Sequence, residues 1–296
     1  MNTFKWLVRR EFWENRAIWL VPTSVGALLT LATLFGRLNI QGITDNEALA
    51  TPEQGTVIGG IVLFLFGIVF FAVAYTYCFW YLLDCLYADR KDRSILFWKS
   101  LPISDTQTVL AKLFTGLIAI PVVYFMAADA ATLLMAVIVS LRLRSFIGAA
   151  LWHPEQWLQL QALWLYLIVT MGIWYLPLAG WFMVVSAWAK RAVILWSVLP
   201  PVAVLVAERW FLGTHVVGRL LGSWSLGYPA HAFLEPPKGG WVTAIVGDNA
   251  ITRPGSVWDM MNPAFFFTSP ATWICVLAGA ALVFAAIQLR LRCAEA

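Results

Sequence analysis

Charge is scarce in this sequence. Only 12% of its 296 residues are Asp, Glu, Lys or Arg while 61% are hydrophobic, too little polar surface to clothe a single water-soluble core. Cysteine and histidine are scarcer still, at four and three residues. Cys78, Cys85, Cys275 and Cys293 fall in or beside apolar runs, not in paired loops. That argues against a disulfide framework or a zinc site and reads as small buried hydrophobes. His153, His215 and His231 are too scattered to name a metal site. No Ser-His-Asp, HExxH or paired-carboxylate pattern stands out, so protease or transferase chemistry has no residues to recommend it. The net charge of +4 is too mild to point to nucleic acid. The chain opens on a charged amphipathic stretch, and its first apolar run is too long for the core of a cleaved leader, so that run is expected to stay as a helix.

What the chain does have is long uncharged runs. A helix needs about 20 apolar residues to cross the hydrocarbon core. Arg16 to Arg37 encloses 20 uncharged residues, Glu53 to Asp84 encloses 30, Glu155 to Lys190 encloses 34 and Asp259 to Arg290 encloses 30. Lys112 to Arg142 encloses 29 residues with only Asp129 interrupting. Arg191 to Glu208 encloses 16; this run carries Pro200 and Pro201 and reaches full length by continuing through Trp210, Phe211 and Leu212, unless it is a re-entrant segment. The expected fold is an all-α membrane protein forming one domain over residues 1–296. Its six transmembrane helices are placed at 17–36, 57–87, 105–141, 157–188, 192–212 and 271–289.

With six spans, one set of loops holds 13 of the 20 Lys and Arg residues, among them Lys5, Arg9, Arg10, Arg90, Lys91, Lys112, Lys190, Arg191, Arg290 and Arg292. The positive-inside rule makes that set cytoplasmic and with it both termini. A non-crossing fifth span would reverse the C-terminus and narrow the asymmetry. Trp152, Trp157, Trp188, Trp210 and Trp273 lie close to expected span ends, where an indole keeps its ring in the acyl boundary and its N–H wet.

Residues 1–16 alternate Phe4, Trp6, Leu7, Val8, Phe12 and Trp13 with charges, which fits a helix lying in the interface as an elbow into span one, or a plain topogenic flank. Between spans two and three the order of chemistry is specific. Asp89, Arg90, Lys91, Asp92 and Arg93 end one helix, Ser94 follows, Ile95, Leu96, Phe97 and Trp98 form a short apolar turn with Lys99 after it, and Pro102 stops it. Ser104 opens the next helix, with Gln107 placed to complete a capping box.

Charged residues, a short helix, Leu101-Pro102-Ile103-Ser104 and then Lys112, together with this topology, resemble the ABC-2-type permease family. The likeness covers the chain end to end: an N-terminal interfacial helix, six spans, a coupling helix over 88–104, a short turn between spans four and five, and external helices before the last span. It implies a bacterial inner-membrane permease, paired with a second copy or a paralogue and bound to two cytoplasmic ATP-binding cassette ATPases. Arg90 to Lys99 would then seat in a groove of the ATPase, and export would be the direction. The family often has Glu-Arg where this chain has Asp89-Arg90, which keeps the charges and shortens the reach. Under this likeness the chain binds no cofactor of its own; ATP and Mg belong to the partner. Its nearest approach to a phosphate loop, Gly213 to Leu220, offers Arg219-Leu220 where Lys-Ser or Lys-Thr is needed.

The stretch from Glu208 to Pro270, which contains the external segment over 213–270, is too apolar for a solvated loop. Trp210, Val217, Leu220, Leu221 and Trp224 recur at helical spacing opposite His215, Arg219 and Ser223, as either a roof over an exit path or a surface-lying helix. Asp129 stands near the middle of span three, where a carboxylate costs about 2.5 to 3.5 kcal/mol; fourteen Leu, Ile, Val and Phe residues in that span offset it by about 4 to 8 kcal/mol. It either makes a structural hydrogen bond or sits on a substrate path with Trp174 and Trp181. Trp174, Trp181 and Trp188 recur every seven residues, a stripe that reads as packing before it reads as a ligand wall. Asp84, near the end of span two, can be satisfied by Arg90, Lys91 or snorkelling. Two other function classes fit the same composition: an ion-coupled secondary transporter using Asp129, and a non-transporting membrane scaffold.

Overall fold

A computed structural model describes residues 3–36, 52–92, 103–143, 151–234 and 257–292. Among these, the regular structure is helical apart from one antiparallel bridge between Phe233 and Met261. In chain order the helices are α1 (Thr3–Glu14), α2 (Ala17–Phe35), α3 (Pro52–Lys91), α4 (Asp105–Phe114), α5 (Ile120–Leu143), α6 (Pro154–Trp174), α7 (Leu176–Trp188), α8 (Val193–Ala207), α9 (Val216–Ala232), α10 (Val257–Met260), α11 (Pro263–Thr268) and α12 (Pro270–Arg292). Six helical stretches are long and apolar enough to cross a membrane. The protein is a multi-pass membrane protein.

Proline chemistry sets the breaks in these helices. Pro121 has no N–H to offer the carbonyl four residues before it, and the turn ahead of it, Thr115–Ala119, is a π-helical turn that joins α4 to α5 as one span. Pro177 breaks what the sequence reads as one fourth span. α6 ends at Trp174, Tyr175 leaves helical geometry (φ −92°, ψ 11°), and α7 restarts with the proline in its first turn, where a missing N–H costs least. The break also ends the seven-residue Trp stripe. Trp174 turns its Nε1 to the Trp224 carbonyl at 2.9 Å, Trp181 donates to the Ser197 carbonyl at 3.0 Å, and Trp188 meets Trp196 edge to face at 4.9 Å. Pro200 and Pro201 lie inside α8, which reaches crossing length through a second π turn, Glu208–Leu212.

The core runs where α3, α4, α7 and α12 meet, around Leu82, Leu86, Val109, Met183 and Ala286, all buried. Small residues allow the closest approach, between α7 and α12. A Cβ at Gly279 would stand 2.5 Å from Leu176 Cγ, and one at Gly180 would stand 2.8 Å from Leu282 Cβ. Lipid tails give helices no hydrophobic reason to associate, so such close van der Waals packing does that work. A second cluster gathers Trp174, Tyr228, Ala232, Phe266 and Cys275, binding α9 and α11 to the α6–α7 break. The packed side of α9 therefore carries Trp224, Tyr228 and Ala232. Leu220, assigned to the apolar stripe from spacing, is exposed; the aromatic anchors near the C-terminal end of α9 decide which side turns inward. Cys78, Cys85 and Cys275 are free and buried, whereas Cys293 lies outside the described residues.

Candidate functional site: a chain of six alternating charges

Arg10, Glu11, Lys112, Asp89, Arg290 and Asp105 form one line of alternating charge at the end of the bundle that carries α1. It starts on α1, where the Arg10 guanidinium donates to Glu11 Oε1 at 2.9 Å. Lys112 Nζ, on α4, lies 3.0 Å from the same oxygen and 3.4 Å from Asp89 Oδ1 in the last turns of α3. Arg290, near the end of α12, spans the rest: Nη1 donates to Asp89 Oδ2 at 3.0 Å and Nε to Asp105 Oδ1 at 2.8 Å. Tyr81 Oη donates to Glu11 Oε2 at 2.8 Å. Glu11, Asp89, Lys112 and Arg290 are all buried.

Charges this deep persist only when each is paired and hydrogen-bonded. Here three cations face three carboxylates, and Arg290 uses its planar fork to hold two acids from different helices. The result is a cross-brace: α1, α3, α4 and α12 each contribute at least one member, so none can shift at this end without separating a buried pair.

Local sequence places each member. Glu11 falls on the side of α1 that buries Leu7. Lys112 falls on the side of α4 that buries Thr108, Val109 and Ala111. The α4 start is fixed by Ser104, whose Oγ accepts the Gln107 N–H at 3.2 Å. The capping box is only half made, because the exposed Gln107 side chain returns no bond among the described residues; the first-turn acid Asp105 pairs with Arg290. Outside the line, burial pushes the Glu14 carboxyl above its usual range, against the opposing pull of Arg10.

The residues assigned to the coupling segment divide. Asp89 points into the charge line. Arg90 caps α7, its guanidinium donating to the carbonyls of Ser186 and Ala189, the latter at 2.8 Å. Ser186 Oγ in turn accepts the Leu86 and Tyr87 N–H groups at 3.1 and 3.0 Å. Lys91 and Asp92 are exposed. Arg93, Ser94, Leu96, Phe97, Trp98 and Lys99 lie outside the described residues. Asp129, Trp174 and Trp181 have three separate partners: Asp129 Oδ1 accepts from Gln161 Nε2 at 2.8 Å, while Trp174 and Trp181 make the carbonyl bonds given above.

Beside the charge line, α1, α3 and the start of α8 enclose a hollow of about 810 Å3, lined by Glu14, Tyr77, Trp80, Asp84 and Asp92 among others. Asp84 faces it exposed and makes no hydrogen bond or ion pair among the described residues, Arg90 included.

The sequence reading located Asp89 and Lys112 but not Glu11, Asp105 or Arg290 as their partners. Asp89 and Arg290 are 201 residues apart, beyond any local spacing rule. The available signal was a charge lying on the apolar side of a helix, as Glu11 and Lys112 do. Compared with protein-family models the chain matches none, and no curated protein matches it.

Proposed function

We propose that this protein is the membrane-spanning permease subunit of an ATP-binding cassette exporter, driven by a separate cytoplasmic ATPase that binds ATP and Mg. The observation that carries this reading is the six-charge line. Its members Asp89 on one side and Asp105 and Lys112 on the other flank residues 93–102, and they tie those flanks to α1 and α12. A push delivered to the 93–102 segment reaches the bundle through two braced helix ends instead of dissipating in a loose loop. Arg90 supports the same purpose by fixing the end of α3 to the end of α7.

In this mechanism Leu96, Phe97 and Trp98 dock on the ATPase, with Lys91, Asp92, Arg93, Ser94 and Lys99 around them. Asp89 and Arg90 act inward, holding the docked segment to the spans. Two permease copies, or one copy and a paralogue, alternate between openings as two ATPases close and part. The charge-bearing loops then face the cytoplasm of a bacterial inner membrane, with both termini.

The test is purification of the tagged full-length protein from its native membrane. An ATPase is expected to co-purify, and charged substitutions at Leu96, Phe97 and Trp98 are expected to uncouple hydrolysis from transport while leaving membrane insertion intact. Purification without any nucleotide-hydrolysing protein, with those substitutions silent, contradicts the reading.

A further inference from the structure

The turn between α7 and α8 frames a hollow of about 450 Å3 lined by Trp188, Ala189, Lys190, Arg191 and Trp196. Four of these five side chains are hydrogen-bond donors, and none of the four has a hydrogen-bond or ion-pair partner among the described residues. The two indoles meet edge to face at 4.9 Å yet stay 50% and 40% exposed. Lys190 and Arg191 are exposed beside them. Among the described residues, no carboxylate lines the hollow.

From these features we infer that the α7–α8 turn is a binding site for an anionic glycerophospholipid. Two cations without an ion-pair partner among the described residues and two indoles line one hollow, with room for a phosphodiester. The carbonyls that end α7 would repel an anion, but Arg90 already holds those of Ser186 and Ala189, which removes most of that repulsion. The turn leads into α8, the start of a stretch long and apolar enough to cross a membrane, and Trp rings beside basic side chains are the composition that settles at headgroup depth. Just beyond it α8 presents Leu195 and Leu199, both exposed, as a path for the acyl chains. A free phosphate would leave that path and the Trp rings unused. A zwitterionic lipid would bring a cationic group for which the lining has no acid.

Native mass spectrometry of the full-length protein in neutral detergent, titrated with phosphatidylglycerol or phosphatidylcholine, tests the site. Phosphatidylglycerol is expected to bind first and more tightly. Lys190→Gln with Arg191→Gln should weaken it roughly 25-fold, since each basic residue near an anionic headgroup contributes about a factor of five, and should leave phosphatidylcholine binding unchanged. Trp188→Phe with Trp196→Phe, which keeps the rings and removes the N–H donors, should give a smaller loss. Arg209→Gln with Arg219→Gln, an equal charge loss elsewhere, should have no effect on the first lipid bound. Equal affinity for the two lipids, equal loss in the two charge-removal variants, or displacement of the lipid by millimolar inorganic phosphate would each overturn the assignment.

Discussion

Arg290 Nη1 lies 3.0 Å from Asp89 Oδ2, and its Nε lies 2.8 Å from Asp105 Oδ1. One guanidinium at the end of the last helix therefore holds the two acids that flank residues 93–102. Arg290 is 4% exposed and Asp89 6%, so neither can turn to water when the other is lost.

Arg290→Leu takes from Asp89 one of its two cations and from Asp105 its guanidinium bond, breaking two ion pairs at a buried position, and should destabilise the protein by about 3 to 5 kcal/mol. Thermal unfolding in detergent reads this as a large fall in midpoint. Arg290→Lys should fall between, because an ammonium keeps the charge but cannot present two fixed N–H groups to two acids. Replacing both Asp89 and Arg290 by Leu should recover a good part of the loss, since the cost lies in the unpaired charge more than in the missing pair.

Tyr81→Phe removes the 2.8 Å hydrogen bond to Glu11 while leaving its two cations in place. A hydrogen bond to a charged group is worth about 1.5 to 3 kcal/mol. The variant should stay folded with α1 held less firmly, read as faster proteolysis or hydrogen exchange over residues 3–14. Glu11→Leu should show the same change in α1 more strongly, because it also takes from the buried Lys112 the nearer of its two carboxylates.

Gly279→Ala should be destabilising despite the better helix propensity of alanine. The new Cβ would stand 2.9 Å from the Leu176 backbone carbon as well as 2.5 Å from its side chain, so α7 and α12 must separate, at about 1 to 3 kcal/mol. Gly218→Ala is the control, with its nearest contact at an ordinary 3.7 Å. Equal melting temperatures for the two variants would contradict the close α7–α12 packing.

Asp129→Asn keeps an acceptor for the Gln161 amide and removes the cost of a carboxylate within a span. Under the permease reading, ATP-dependent transport should continue and stability should hold or rise. Transport abolished by this change and by an uncoupler, with ATP irrelevant, would favour an ion-coupled carrier instead.

The spans were legible because a bilayer requires uninterrupted apolar length, and charge spacing measures that directly. The described helices fall where the uncharged runs lie, including the Val193–Leu212 stretch with its paired prolines. Three features were not legible. The break at Tyr175 depends on Pro177 in an otherwise continuous run, and a hydropathy reading does not register the missing N–H. The π turn before Pro121 is a local repair that span length does not predict. The charge line escaped because its partners lie on four helices, and whether Asp105 bonds its own helix end or a distant arginine depends on where α12 ends in space.

Under the permease reading, the apolar segment around Trp98 delivers work from a nucleotide-hydrolysing partner into the braced end of the bundle. A photo-cross-linking amino acid placed at position 98 of the full-length protein, activated in native membranes, tests it most directly. The predicted product is a covalent adduct with an ATP-binding cassette ATPase, formed in both wild-type and Gly218→Ala backgrounds. Adducts with lipid alone, or with a protein that hydrolyses no nucleotide, would contradict the account.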